Sequence, residues 1–164
     1  MSVYGLIVFL HVVSALVFMM AHGVSAAMIF KVRYERKPEN LCNYLEISSM
    51  ALLPAMRALE GVLLTGIILT VWAGWWRMGW IWISLLLFIA IGVVMGKFGS
   101  GYMNSVRRAM GMVSPRDLKK GVRPMPAPPE VLAEVIEKGK PRLVAAAGLS
   151  TMAAVVLLMV MKPF

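Results

Sequence analysis

Leu6 to Phe30 is a run of about 25 residues without one Asp, Glu, Lys or Arg, and at about 1.5 Å per residue a helix of that length crosses the roughly 30 Å hydrocarbon core of a bilayer. It predicts a first transmembrane helix. No positive charge precedes the run, whereas Lys31, Arg33, Arg36 and Lys37 follow it. That order predicts a retained span with its N-terminus outside, and not a cleaved signal peptide.

Three further apolar segments follow the same logic. The second span is expected over 54–76, with its uninterrupted apolar part at Gly61 to Trp76. Pro54 sits either in its first turn or inside a longer, tilted helix that began near Tyr44. The third is expected over 80–96, ended by Lys97 and joined to the second by a tight hairpin at Ala73 to Gly79. The fourth is expected over 143–161, flanked by Lys140, Arg142 and Lys162. The fold class is therefore all-α, a polytopic four-helix bundle forming a single membrane domain over 1–164.

Composition agrees. With 60% hydrophobic residues in 164, too little polar surface remains to cover a soluble domain. The formal charge of +9 could suggest nucleic acid. Its Lys and Arg residues, however, lie between the apolar runs and not on one soluble face, so no nucleic-acid partner is expected. The single cysteine, Cys42, excludes an intrachain disulfide framework and a multi-cysteine metal cluster.

Charge also sets orientation. Four Lys and Arg lie in Lys31 to Lys37 and ten between Lys97 and Arg142, against Arg77 in the hairpin and Lys162 at the end. This predicts both termini outside and the loop over 98–141 on the cytoplasmic side of the inner (plasma) membrane. Trp72, Trp75, Trp76, Trp80 and Trp82 cluster around the outer hairpin, with Tyr4 at the start of the first span, as half of an aromatic belt.

The loop reads as a helical extension, a linker rich in Pro and Gly, and a short helix. Ser114-Pro-Arg-Asp117 has the form of a helix start, with Ser as N-cap and Pro at the first helical position. Pro129 to Lys138 places Val131, Leu132, Val135 and Ile136 on one side, with Gly139 and Pro141 as stop signals. An amphipathic helix lying on the inner leaflet or on a partner is expected. Small residues at four-residue spacing predict close helix packing at Gly23 and Ala27, Gly61 and Thr65, Gly92 and Gly96, and Ala146, Ser150 and Ala154, either within the chain or against a homodimer mate or another membrane subunit.

The first span holds both histidines, His11 and His22. Eleven residues turn a helix about 20° past three full turns and rise roughly 16 Å, so both imidazoles share a face at two depths. Axial ligands of one haem approach from opposite faces of the ring, so these two do not bracket a single iron. Two separate tetrapyrroles fit, as does one with a second ligand from Met or another chain. Ser14, Ala15, Ser25 and Ala26 leave room beside the rings, and Phe18 stands between them. Intramembrane histidines either hydrogen-bond a neighbouring helix or act as ligands and proton relays.

Arg57 and Glu60, three apart on the second helix, are surface neighbours placed at the depth of His22. They would hold propionates or an anionic substrate and pass protons, or form an ion pair with Arg57 snorkelling to the interface. Met19 and His22 are helical neighbours among 15 methionines, a soft donor pair of the kind that binds Cu(I), although Met also serves as ordinary packing.

Leu10-His11 early in the first span, the basic stretch after it, Pro54-Ala-Met56 and the terminal Val160-Met-Lys-Pro-Phe164 resemble a superfamily of small four-helix membrane proteins. It includes the HemJ-type protoporphyrinogen oxidases and the copper-resistance protein D membrane domains. Ala21 to Arg33 is most similar to an uncharacterised branch of predicted integral membrane proteins. The resemblance implies a haem or porphyrin site with His11 as ligand. Three functional classes follow: a haem b or other tetrapyrrole protein of electron transfer or porphyrin oxidation, with His11, His22, Arg57 and Glu60 as candidate cofactor residues; a noncatalytic subunit of a respiratory or photosynthetic complex; and a copper-handling protein. Whether the chain is an enzyme stays open. No Walker motif, nucleophile triad or carboxylate-rich metal signature is present.

Overall fold

The computed structural model describes residues 2–114, 117, 121 and 123–163, and all regular structure among them is helical. Helix α1 (Val3–Tyr34) starts on Ser2, whose hydroxyl accepts a hydrogen bond from the Gly5 N–H at 3.1 Å. It ends with Lys31 and Arg33 in its last turn, where positive charge suits the carbonyl end of the helix. Helix α2 (Pro38–Trp72) opens on a proline, whose fixed φ and missing N–H suit a first helical position. Pro54 lies inside α2, so the longer-helix reading of the second span holds, and the helix begins earlier than Tyr44.

A left-handed Gly74 (φ 68°) and a short 3₁₀ turn, Trp75–Arg77, lead into α3 (Gly79–Val94). The sequence placed the end of this element at Lys97, but the chain continues helically. A π turn over Met95–Ser100 passes directly into α4 (Gly101–Ala109). The Gly101 N–H reaches back to the Gly96 carbonyl, the wider hydrogen-bond step that defines such a turn. Lys97 marks the end of the apolar stretch and not of the helix, because its ammonium lies 5.7 Å from the Phe98 ring without interrupting the backbone.

Helices α5 (Pro129–Glu137) and α6 (Pro141–Met161) complete the chain, and four helical segments are long and apolar enough to cross a membrane. The expected extension, linker and short helix are all present between α3 and α6. Ser114 and Asp117 form a reciprocal cap: the Asp117 N–H donates to the Ser114 hydroxyl at 3.2 Å and the Ser114 N–H to Asp117 Oδ2 at 3.1 Å. Pro115 and Arg116, within that predicted helix start, lie outside the described residues. The Arg108 guanidinium beside Asp117, followed by the Ser114 hydroxyl, holds its carboxyl well below the usual carboxylate range.

The amphipathic helix has its own occupant for its apolar face. Ile136 of α5 is buried with Tyr102, Met103 and Val106 of α4 and with Ile29 and Val32 of α1, and the Tyr102 hydroxyl donates to the Ile136 carbonyl at 3.0 Å. That cluster, joined by Leu41, Leu45 and Val144, is the hydrophobic core, and it lies at the basic end of the helices. The opposite end carries the aromatic residues: Tyr4 meets Trp72 at 6.1 Å, Trp75 meets Trp80 at 5.6 Å, and Lys162 lies 4.1 Å over Trp75. Tyr4 and Lys162, near the two ends of the chain, therefore stand at the same end of the helices as the tryptophan hairpin. Between these ends the spans leave large apolar side chains such as Leu64, Leu86 and Leu149 exposed, which suits hydrocarbon and not water.

Packing is uneven. Helix α1 runs against α2, and α3 against α6, while contact between these two hairpins is sparse. Gly61 fits its predicted role, since a Cβ there would fall 2.6 Å from the Ser14 hydroxyl. Gly23, Gly92 and Gly96 make no such contact within the chain, since a Cβ on any of them would meet nothing within 4 Å, which leaves for them the expected alternative of packing against another subunit.

Candidate functional site

The thin contact between the two hairpins leaves a cleft, and α1 presents both histidines to it. The computed 20° offset between His11 and His22 is small enough that one helix face lines two successive cavities. The cavity nearer the tryptophan end, termed outer for its place along the helices and not for a side of the membrane, is about 70 Å³ and is walled by His11, Ala15, Phe18, Val62, Phe88 and Met152. The inner one, about 340 Å³, lies between α2 and α3 with His22, Ser25 and Ala26 of α1 at its base. Phe18 and Phe88, 5.7 Å apart, border both.

His11 is held from α2. Its Nδ1 lies 2.8 Å from the Thr65 hydroxyl, which lies 2.6 Å from the Gly61 carbonyl one turn back. A hydroxyl has one proton, and the short contact to a carbonyl uses it. Thr65 therefore accepts from His11, which assigns the proton to Nδ1 and leaves the Nε2 lone pair free. Ligating histidines are commonly oriented in this way, by a hydrogen bond on the other ring nitrogen. Gly66 completes the seat: a Cβ there would stand 3.3 Å from His11 Cε1. Thr65 reads in the sequence as a small packing residue, and its position one turn after Gly61 is the only hint of this second use.

His22 is held differently. Phe18 stacks on its ring, with centroids 6.1 Å apart and planes 23° from parallel. Its Nε2 is buried and has no hydrogen-bond partner among the described residues. A Cβ on Gly148 of α6 would lie 2.7 Å from that nitrogen and 3.0 Å from the Met95 methyl. The glycine backbone and a methionine thus stand where an acceptor or donor would be expected.

Arg57 and Glu60 stand apart from both histidines. They form an ion pair at 2.9 Å with side chains 73% and 53% exposed, and line neither cavity. Met56 and Leu59 face the inner cavity, and the next residue after each is rotated about 100° around the helix, which turns Arg57 and Glu60 outward. The expected sharing of a depth with His22 does not bring the three into one site.

Sequence reading passed over the inner end of the cleft. Arg107 of α4 lines the inner cavity and donates to the Leu45 carbonyl and the Ser49 hydroxyl, both at 2.6 Å, and to Asn104 Oδ1 at 3.1 Å. Among the ten basic residues from Lys97 to Arg142, one that stands between Val106 and Arg108 is indistinguishable by composition. The π turn borders the same cavity through Met95, Gly96, Gly99 and Ser100, in keeping with the frequent siting of such turns at binding sites.

The histidines suit a tetrapyrrole unequally. At His11 a free imidazole nitrogen and an apolar lining are the donor chemistry that haem iron takes. The outer cavity is well below the 300 Å³ or so of an ordinary small-molecule pocket, so a macrocycle enters only if the sparsely joined hairpins part. At His22 the backbone of Gly148 closes on the nitrogen and leaves a flat ring no face. No group of three or more His, Cys, Asp or Glu side chains that could hold a metal ion occurs among the described residues. No protein-family model, curated protein or solved structure matches this chain.

Proposed function

We propose that this protein binds a tetrapyrrole, haem b in the simplest case, in the cleft between its two hairpins, with His11 as an axial ligand. The observation that carries the reading is the Thr65 hydroxyl 2.8 Å from His11 Nδ1, which supports an Nδ1–H tautomer and with it Nε2 as the ligand. When bound, such a group supplies one-electron transfer or porphyrin oxidation. The protein's own part is to orient the imidazole through Thr65, to keep water from the ring with Phe18, Phe88 and Met152, and to open between the hairpins. The charge distribution supports a multi-pass protein of the inner (plasma) membrane with the tryptophan end and both termini outside.

Absorption spectra of the purified protein, as isolated, haem-reconstituted and dithionite-reduced, test this. A Soret band that disappears in His11→Ala and persists in His22→Ala is the expected result. Protein that stays colourless after reconstitution, or a band indifferent to His11→Ala, overturns it.

Two observations favour other readings. Met56, Met95, Met103 and Met152 line the inner cavity with His22, a set of soft donors suited to Cu(I). The Arg57–Glu60 pair on an otherwise apolar exterior suits an accessory subunit that meets another membrane helix or a second copy there. Cu(I) titration of the colourless protein and co-purification from native membranes distinguish these.

A further inference from the structure

The inner cavity is not a closed void. Gly92 and Gly96 on its α3 wall are exposed, with open space where a side chain would stand, so the cavity opens sideways between α2 and α3. Its walls are apolar along most of their length, through Leu52, Met56, Leu59, Ile91 and Met95. At one end it becomes polar, where Ser49, Asn104 and Arg107 meet at the basic end of the bundle. It is a groove with an apolar body and a cationic mouth.

Arg107 is the feature that needs explaining. No carboxylate lies within ion-pair distance of it among the described residues, although its neighbour Arg108 is paired with Asp117. Of its five N–H donors, three reach Leu45, Ser49 and Asn104, and Nε and one Nη1 proton have no acceptor among the described residues. Leu45, Ser49 and Asn104 fix the guanidinium in place and leave its charge unneutralised. A half-buried guanidinium held this way suits a phosphate or carboxylate oxygen.

We infer that the groove between α2 and α3 holds one anionic phospholipid, with its phosphate on the free N–H groups of Arg107 and the side-chain amide of Asn104 and an acyl chain running along the groove toward His22. Charge complementarity at the mouth, an apolar body open to the side, and a volume of about 340 Å³ for part of one chain all fit that occupant. The wider backbone of the π turn shapes the wall, with Gly96 leaving the space a chain fills. This site is separate from the tetrapyrrole reading at His11 and does not depend on it.

Native mass spectrometry of the protein in neutral detergent, offered phosphatidylglycerol or phosphatidylcholine with identical acyl chains, tests the assignment. One retained phosphatidylglycerol, preferred over phosphatidylcholine by about tenfold, is expected from a charge-assisted contact. Arg107→Gln removes that preference, while Arg123→Gln, an exposed cation that does not line the groove, keeps it. Gly92→Leu, which grows into open space and so leaves the fold intact, lowers retention of both lipids by filling the groove. A preference that survives Arg107→Gln overturns the proposal. So does inorganic phosphate that displaces the lipid from the unmodified protein, which shows a free-anion site, and so does a lipid-free dimer whose mate is lost on Gly92→Leu, which shows that a second copy fills the groove.

Discussion

His11 donates a hydrogen bond to Thr65 and rests over Gly66, whereas His22, three turns further along the same face of α1, ends on Gly148 with no partner for its Nε2 among the described residues. Residue type, helix and facing are common to both. What differs is the helix opposite: α2 offers a hydroxyl whose own proton is already committed, and α6 offers a glycine. An identical side chain is therefore an oriented donor–acceptor at one depth and an unsatisfied polar group at the other. Spacing within one helix sets which way a side chain points, and the neighbouring helix sets what it can do.

The sharpest break of this contrast is spectroscopic. His11→Ala abolishes tetrapyrrole absorbance, and His22→Ala retains more than about half of it, since only one of the two rings is oriented for ligation. Equal losses would erase the distinction between the two sites.

Next in size is a pair of glycine substitutions. Gly148→Ala forces a Cβ to 2.7 Å from His22 Nε2 and costs about 1–3 kcal/mol in unfolding experiments, in the range of overpacked cores. Gly66→Ala meets His11 Cε1 at 3.3 Å and gains the helix propensity of alanine, so its net change stays under about 1 kcal/mol. A smaller cost for Gly148→Ala than for Gly66→Ala would mean that α6 does not press on His22.

Thr65→Val removes the acceptor on His11 Nδ1 and leaves its shape. About tenfold weaker haem affinity is expected, with Thr65→Ser restoring it, and ¹⁵N chemical shifts of His11 moving from the Nδ1–H form toward a mixture. Unchanged shifts would show that Thr65 does not set the tautomer.

The smallest effect separates the two rings without any ligand. His22→Leu removes a buried, unpartnered nitrogen and raises stability by up to about 1 kcal/mol, whereas His11→Leu loses a hydrogen bond and falls by about 1 kcal/mol. If His22→Leu is the more damaging, His22 has a partner in the membrane, and the Cu(I) reading gains.

Much of the fold was legible in the sequence, because hydrocarbon imposes few solutions. Uninterrupted apolar length located four spans, tryptophans gathered around one hairpin, and the loop divided into extension, linker and short helix where Pro and Gly required it. Pro54 was legible only as two alternatives, since a missing N–H costs little in a first turn and is tolerated inside a membrane helix as well. The π turn left no trace, because a single wider step needs no distinctive residue beyond the glycines that helices in membranes often carry.

The candidate site was half legible. That His11 and His22 share a face follows from 3.6 residues per turn, and the structure places both on one cleft. The same arithmetic put Arg57 and Glu60 near the depth of His22, but depth is not direction, and α2 turns them outward. Local periodicity determined the helices, their lengths and the faces they present, since each depends only on the chain near it. Tertiary structure alone decided that Thr65 meets His11, that Gly148 meets His22, and that Arg107 is held by Leu45 and Ser49, because each is fixed by a helix tens of residues distant.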